Sequence, residues 1–125
     1  MSKQKKVLLI EDDPFLQSMY ANKFELEGFL VVVAEDGQKG LRLAEKEEPD
    51  IILLDILLPQ MDGYEVLQNL KANNKTKDIP VLLLTNLSQR NDIQRGIELG
   101  AVDYLIKAHF MPSEVVAKTK EVLGL

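Results

Sequence analysis

Five polar residues stand directly after apolar stretches of the chain, and their types suit phosphoryl chemistry. Glu11 and Asp12 follow "KVLLI", Asp55 follows "IILL", Thr85 follows "VLLL" and Lys107 follows "YLI". A carboxylate can attack a phosphoryl group, while a lysine ammonium and a hydroxyl can neutralise the charge that develops on its oxygens. Each residue taken singly is more typical of a helix cap, a turn or a solvated side chain. Their shared position after four of the stretches favours a common site.

The three carboxylates indicate a divalent metal ion. Carboxylates held close together repel one another and raise each other's pKa values unless a cation lies between them. Mg²⁺ suits such a set, since it prefers oxygen ligands and is usually held by one or two carboxylates plus a phosphate. The sequence has no cysteine and a single histidine, so it lacks the ligand spacing of zinc or iron sites. We therefore expect Mg²⁺, with Mn²⁺ as a substitute, and Asp55 as the nucleophile that forms an aspartyl phosphate.

The apolar stretches are predicted to be the strands that position these residues. There are five of them: residues 6–10, 29–34, 51–54, 81–84 and 104–106. Stretches that are apolar on both faces are typical of a buried parallel sheet. In such a sheet the carboxyl ends of all strands meet at one edge, where open α/β sheets bind ligands. We therefore expect the five polar residues at this edge, with Asp55 exposed at the floor of a cleft.

Amphipathic segments with recognisable start and stop residues alternate with the strands. Asp13 and Pro14 are predicted to begin the first helix, which Gly28 ends. This helix is predicted to carry Phe15, Leu16, Met19 and Tyr20 on one face. The later helices are predicted to begin near Asp36-Gly37, Asp62-Gly63, Ser88 and Ser113. Five strand–helix units predict a doubly wound α/β sandwich, and 2-1-3-4-5 is the commoner strand order for five strands.

Composition predicts one compact domain over residues 1–125 and excludes several classes of protein. The formal net charge of -5 argues against a nucleic-acid-binding surface made by the whole domain. The N-terminal "MSKQKK" lacks the apolar core of an export signal, and no apolar stretch reaches membrane-spanning length. The absence of cysteine fits a reducing compartment. We expect a soluble, cytoplasmic protein with no membrane partner.

Over its whole length the chain resembles the receiver domains of two-component response regulators. The matching residues, in order, are Glu11, Asp12, Asp55, Pro59, Gly63, Thr85, Tyr104 and Lys107. The resemblance implies a flavodoxin-like fold. It also implies that Asp12 and Asp55 bind Mg²⁺ directly, that Glu11 binds it through water, and that the backbone carbonyl of Leu57 is a further ligand.

The resemblance implies a signalling protein rather than a conventional enzyme. A sensor histidine kinase or a histidine phosphotransfer protein would pass its phosphoryl group to Asp55. Thr85 would then turn toward this group, Tyr104 would move inward, and the face formed by the fourth helix, fifth strand and fifth helix would change shape for a downstream target protein. Since no output domain follows, we expect a stand-alone receiver, either monomeric or dimerising on phosphorylation.

Two positions depart from the family pattern. In "LIKAHFMP", Ala108 stands where the family has a proline in a cis peptide. The Lys107–Ala108 peptide is therefore either trans, with an altered loop, or held cis at a cost of about 3 to 4 kcal/mol. Asn86 follows Thr85 where a smaller residue is usual, and its bulk is expected to narrow access to Asp55 or to restrict Tyr104.

Two leucines predict the lifetime of the phosphoryl group. Leu57 lies two residues after Asp55, and Leu87 lies two residues after Thr85. Family members often carry polar groups there, which can position a water molecule. With leucine at both positions we expect slow hydrolysis and a long-lived signal.

Two functions other than a phosphorylated receiver are compatible with parts of the sequence. A haloacid-dehalogenase-like phosphatase also uses an aspartate nucleophile with Mg²⁺, but such enzymes carry a second aspartate two residues later, where this chain has Leu57. The alternative from another class is a receiver-like module that binds partner proteins without being phosphorylated. The complete set of polar residues argues against this module, while the altered loop after Lys107 favours it.

Overall fold

The computed structural model describes residues 4–125, so Met1, Ser2 and Lys3 of the N-terminal segment lie outside it. Within this range the strands are β1 (Lys6–Ile10), β2 (Leu30–Ala34), β3 (Ile51–Leu54), β4 (Val81–Thr85) and β5 (Asp103–Ile106). They form one parallel sheet in the order β2-β1-β3-β4-β5. The predicted strand order is therefore confirmed.

Four helices connect the strands of the described chain, and a short 3₁₀ turn and a fifth helix follow the last strand. The helices are α1 (Pro14–Leu26), α2 (Gly37–Glu47), α3 (Gly63–Ala72), α4 (Arg90–Glu98) and α5 (Pro112–Leu123), and the turn is Lys107–His109. Helices α1 and α5 pack on one face of the sheet, while α2, α3 and α4 pack on the other. This is the predicted doubly wound, flavodoxin-like α/β arrangement. None of the helices in residues 4–125 has both the length and the apolar character to cross a membrane.

The sheet separates two hydrophobic cores, which explains why its strands are apolar on both faces. In β1, Leu8 and Ile10 point into the core beneath α2, α3 and α4. Val7 and Leu9, which alternate with them, point into the core beneath α1 and α5. Because successive side chains of a strand point to opposite faces, both sets must be apolar. The edge strand β2 is less covered, and Leu30 at its start is 45% exposed.

Aspartates begin three of the helices, as the sequence predicts. Oδ1 of Asp13 accepts hydrogen bonds from the backbone N–H groups of Phe15 (2.8 Å) and Leu16 (3.2 Å). Asp36 and Asp62 cap α2 and α3 in the same way. These carboxylates satisfy backbone donors that the first helical turn leaves without a partner. The predicted start of α4 is wrong by one residue, because the cap is Gln89 rather than Ser88.

Only part of the predicted apolar face of α1 is buried. Phe15 is 74% exposed, whereas Tyr20 and Phe24 are buried. Residues four apart lie on one face of a helix, so Leu16, Tyr20 and Phe24 form the inward row. Phe15 lies about 100° away from this row. Its side chain is therefore on the surface, near the carboxyl edge of the sheet.

Candidate functional site

Strand register brings the five polar residues to one edge of the sheet. Ile10 of β1 lies opposite Leu54 of β3, so Glu11 and Asp55 leave neighbouring strands at the same level. The N–H of Asp55 donates to the carbonyl of Ile10 at 3.1 Å and extends the pairing by one residue. On the other side, Thr85 pairs with Ile106, which places Lys107 directly after the last paired residue of β5.

Three carboxylates form a cluster at this edge. Glu11, Asp12 and Asp55 each offer an oxygen, and these oxygens lie within 4.8 Å of one another. Glu11 and Asp55 are buried, whereas Asp12 is exposed. The neighbouring Asp13 is not part of the cluster, because its side chain caps α1. An oxygen-only donor set with one exposed member fits a hard ion such as Mg²⁺ that retains several waters.

Lys107 bridges the two buried carboxylates. Its Nζ lies 2.5 Å from Oε1 of Glu11 and 2.7 Å from Oδ2 of Asp55, and its side chain is only 10% exposed. Burial by itself would lower the pKa of Lys107, but the hydrogen bonds and charges of Asp55 and Glu11 outweigh burial and raise this pKa. Burial raises the pKa of Glu11, although the hydrogen bond from Lys107 acts in the opposite direction. We therefore assign Lys107 as a fully charged ammonium at neutral pH.

The prediction that Asp55 is exposed is wrong, because its residue surface is only 5% accessible. The Nζ of Lys107 lies 2.7 Å from Oδ2, one of the Asp55 carboxylate oxygens. A bare buried carboxylate would be costly, and the ammonium makes the burial tolerable. A ligand that binds Oδ2 of Asp55 must therefore compete with Lys107 for this oxygen.

Backbone groups hold the remaining oxygens of the buried acids. The N–H of Leu57 donates to Oδ1 of Asp55 at 3.2 Å, and the N–H of Asp13 donates to Oε2 of Glu11 at 3.0 Å. Gly63 packs closely against the same region, and a Cβ at this position would collide with the backbone of Asp55 and Ile56. Its N–H donates to the carbonyl of Ile56 at 2.8 Å. Residue 63 must therefore be glycine if α3 is to begin directly beneath Asp55.

Thr85 and Tyr104 lie on the same side of the site and meet at Leu87. Thr85 is fully buried, and its Oγ1 lies 3.4 Å from the N–H of Leu87. Tyr104 is 8% exposed, and its hydroxyl donates to the carbonyl of Leu87 at 2.7 Å. The ring therefore occupies an inward position, against α4. Burial raises the pKa of Tyr104 well above its ordinary value.

The loop after Lys107 takes the first of its two predicted forms. The described chain contains no cis peptide, so Lys107–Ala108 is trans, and Lys107–His109 form a 3₁₀ turn. The N–H of Ala108 donates to Oδ1 of Asn86 at 3.1 Å. This contact joins the two departures from the family pattern, and no local pattern predicts it, because Asn86 and Ala108 are 22 residues apart in sequence.

A second group that the sequence reasoning missed links α3 to α4. The hydroxyl of Tyr64 donates to the carbonyl of Asp92 at 3.0 Å, and the Arg95 guanidinium lies 4.1 Å from the centre of the Tyr64 ring. The ring is buried, and its burial raises the pKa of Tyr64. A cation over an aromatic face contributes about 0.5 to 2 kcal/mol. Helical spacing predicts Tyr64 at the start of α3, but nothing local predicts its partners.

The two leucines that we expect to control phosphoryl lifetime differ in environment. Leu57 is 56% exposed next to Asp55. Leu87 is half-buried and packs against the core beneath α2, α3 and α4. The Leu57 side chain is thus the more exposed of the two. The effect of both leucines on the lifetime of the phosphoryl group stays a prediction.

Residues 7–120 match the model of a family described as the response regulator receiver domain. Among curated proteins, the chain is 42% identical over 118 residues to the DNA-binding dual master transcriptional regulator RpaA of Synechocystis sp., covering 94% of this chain and 48% of that protein. It is 39% identical over 119 residues to the alkaline phosphatase synthesis transcriptional regulatory protein PhoP of Bacillus subtilis, covering 95% of this chain and 48% of the relative. The chain thus spans about half the length of the curated relatives it matches.

Solved structures agree with this match. Chemotaxis protein CheY4 of Vibrio cholerae superposes with a TM-score of 0.90 at 28% identity, covering 96% of this chain and 99% of that one. The receiver domain of the Francisella response regulator 1452 superposes with a TM-score of 0.85 at 31% identity, covering 92% and 93% of the two chains. The fold of the chain is therefore that of receiver-type proteins.

Proposed function

The chain belongs to the response regulator receiver domain family, and we propose that it accepts a phosphoryl group on Asp55 from a sensor histidine kinase or a histidine phosphotransfer protein. The observation that carries this proposal is the position of Lys107 between Asp55 and Glu11, at 2.7 Å and 2.5 Å. An ammonium held at an aspartate is in place to neutralise charge on a phosphoryl group that arrives there. As in the family at large, the protein is a signalling protein and not a conventional enzyme.

The proposed reaction uses the residues at the edge of the sheet in separate roles. An oxygen of Asp55 attacks phosphorus, a P–O bond forms, and the P–N bond of the donor phosphohistidine breaks so that the imidazole leaves. Lys107 turns from the Asp55 carboxylate to a phosphoryl oxygen, and the Thr85 hydroxyl donates to another. Mg²⁺, held by Asp12 and Asp55 and by the Leu57 carbonyl, with Glu11 acting through water, would supply charge neutralisation at the phosphoryl oxygens.

We propose that Thr85 and Tyr104 carry the signal away from the site. Thr85 Oγ1 lies 3.4 Å from the N–H of Leu87, whose carbonyl accepts the Tyr104 hydroxyl. When Thr85 turns toward a phosphoryl oxygen, the backbone at Leu87 is displaced and the restraint on Tyr104 changes. The face of α4, β5 and α5 then shifts between two populated forms, and only one of them binds the target.

We propose that a protein surface is the direct target of this face. The net charge of -5 supports a protein partner over nucleic acid for this domain. The same face would serve for dimerisation on phosphorylation, so the monomer and the phosphorylation-dependent dimer are both compatible with the proposal. A phosphorylation-independent binding module is the second candidate, and the trans loop after Lys107 is the observation that favours it.

Intact-mass measurement after incubation with phosphoramidate and Mg²⁺ tests the proposal. We expect a gain of one phosphoryl group that requires Mg²⁺ and is absent from Asp55→Asn. Asp13→Asn is the matched control, because Asp13 lies beside the cluster but caps α1, and asparagine caps equally well. This control should gain the group as the wild type does. A wild-type chain that binds Mg²⁺ but gains no mass would favour the binding module.

A further inference from the structure

One side chain joins the loops that follow β4 and β5. Oδ1 of Asn86 accepts the N–H of Ala108 at 3.1 Å across 22 residues of sequence. Asn86 directly follows Thr85, and Ala108 directly follows Lys107. The bond therefore connects the immediate neighbours of two residues that we assign to the site.

The backbone of the turn that carries Lys107 has little hydrogen bonding of its own. It is a 3₁₀ turn of three residues, closed by a 3.3 Å hydrogen bond from the N–H of Phe110 to the carbonyl of Lys107. Such turns have poor hydrogen-bond geometry and seldom hold their shape alone. A proline at position 108 would remove the N–H and would disfavour the helical conformation at Lys107. Alanine at this position leaves the turn free to form, and it leaves a donor that Asn86 satisfies.

We propose that Asn86 is a positioning residue that fixes the 3₁₀ turn and thereby holds the Lys107 ammonium between Glu11 and Asp55. This inference rests on the proposed function of Asp55 for its role in phosphorylation. Asn86 acts through the Ala108 backbone and has no contact with the phosphoryl group in the proposed reaction. The two departures from the family pattern thus compensate for each other.

Two measurements on Asn86→Ala should move in opposite directions. A looser Lys107 neutralises Glu11 and Asp55 less completely and competes less with a cation, so the affinity for Mg²⁺, measured by calorimetric titration, should rise by about threefold. The rate of phosphorylation by phosphoramidate should fall by about tenfold, because a poorly placed charge stabilises the phosphoryl oxygens less. General damage to the fold would lower both quantities.

Conservative and double substitutions identify the bond itself. Asn86→Asp retains an acceptor oxygen and should keep the Ala108 amide slow to exchange with deuterium, whereas Asn86→Ala should make this exchange at least about fivefold faster. In a chain that carries Ala108→Pro, which lacks the donor, Asn86→Ala should change the phosphorylation rate by less than about twofold. Asn91→Ala, at an exposed residue of α4, is the matched control and should leave all readouts unchanged.

The outcomes separate this inference from the proposed function. If the wild type gains no phosphoryl group, the proposed function fails, while Mg²⁺ affinity and Ala108 exchange still decide the role of Asn86. If the wild type is phosphorylated and Asn86→Ala changes neither Mg²⁺ affinity nor Ala108 exchange, the positioning role is wrong and the proposed function stands. Equal losses of Mg²⁺ affinity and phosphorylation rate would also overturn the positioning role.

Discussion

The ammonium of Lys107 lies 2.7 Å from Oδ2 of Asp55, although 52 residues separate the two in sequence. This contact covers the carboxylate that we propose as the phosphoryl acceptor. Lys107 also contacts Glu11, so its one positive charge lies among the three carboxylates of Glu11, Asp12 and Asp55 before any metal or phosphoryl group binds. The lysine that links the two buried carboxylates is therefore the same residue that we propose for phosphoryl chemistry.

Replacing this lysine should destabilise the protein in a way that Mg²⁺ reverses. Lys107→Met leaves Glu11 and Asp55 buried without a cation, so the free energy of unfolding without divalent metal should fall by about 3 kcal/mol at neutral pH. Adding Mg²⁺ should recover more stability in the variant than in the wild type, since no ammonium competes for the carboxylates. Urea unfolding with and without Mg²⁺ measures both effects.

Lys118→Met provides the control for this experiment. Lys118 forms a 3.9 Å ion pair with Glu121 on the surface of α5, where removal should cost little. A Lys107→Met protein as stable as the wild type in metal-free buffer would show that the bridge does not stabilise the fold.

Substituting Gly96 should test the inward position of Tyr104. A Cβ on Gly96 would lie 2.5 Å from Cδ1 of Leu83 and 3.1 Å from the Tyr104 ring. Overpacking in Gly96→Ala should therefore lower the free energy of unfolding by about 1 to 3 kcal/mol. The better helix propensity of alanine should restore about 1 kcal/mol of this loss. We also expect faster nitration of Tyr104, because its ring is pushed outward. Stability above that of the wild type, with Tyr104 still protected, would contradict this packing.

Asn91→Ala serves as the control for Gly96→Ala. Asn91 is exposed on the same helix, so the substitution changes helix propensity without adding a buried contact. It should leave Tyr104 nitration unchanged.

All three tyrosines should resist ionisation at alkaline pH. Burial raises the pKa values of Tyr20, Tyr64 and Tyr104 above their ordinary value of 10.0. Absorbance at 295 nm should therefore show little tyrosinate in the folded protein at pH 10, where free tyrosine is half ionised. Half-complete ionisation at that pH, with the fold intact, would contradict the burial of these hydroxyls.

The same shifts predict how stability changes with pH. The unfolded chain loses its tyrosine protons above about pH 10 while the folded chain keeps them, so the folded state binds more protons and stability falls as pH rises. Urea unfolding between pH 9 and the alkaline limit of the fold should show this decline. Tyr104→Phe removes one titrating group and should make the decline shallower, even though it also removes the hydrogen bond to Leu87.

A polar residue at position 57 should shorten the lifetime of the phosphoryl group. Leu57 is 56% exposed and lies two residues from Asp55, so Leu57→Gln can hold a water molecule against the phosphoryl group. We expect the rate of phosphoryl hydrolysis to rise by about tenfold. This is less than the roughly 100-fold or more that a positioned general acid or base contributes, because glutamine only orients the water. The decay of intact mass after removal of phosphoramidate measures this rate.

Leu26→Gln makes the same chemical change at an 81% exposed residue of α1 and should leave the decay rate unchanged. A wild-type phosphoryl group that decays within seconds would contradict the shielding role of Leu57 and Leu87.

The sequence by itself determined the elements and the positions of the polar residues along them. Asp13, Asp36 and Asp62 mark helix starts because their carboxylates bond to N–H groups only two or three residues away. Strands covered on both faces must be apolar throughout, so their ends can be read from where Asp55 and Lys107 interrupt the pattern. Such features depend on neighbours within about one helical turn, and a linear pattern contains that information.

Only the tertiary structure decided how the site is closed. Lys107 reaches Glu11 across 96 residues and Asp55 across 52 residues of sequence, and Asp55 is buried rather than exposed. The contact between Asn86 and Ala108 likewise depends on two loops that meet only after β4 and β5 have paired. Burial and ion pairing of a side chain depend on which distant residue the fold brings against it, and that choice depends on packing across the sheet.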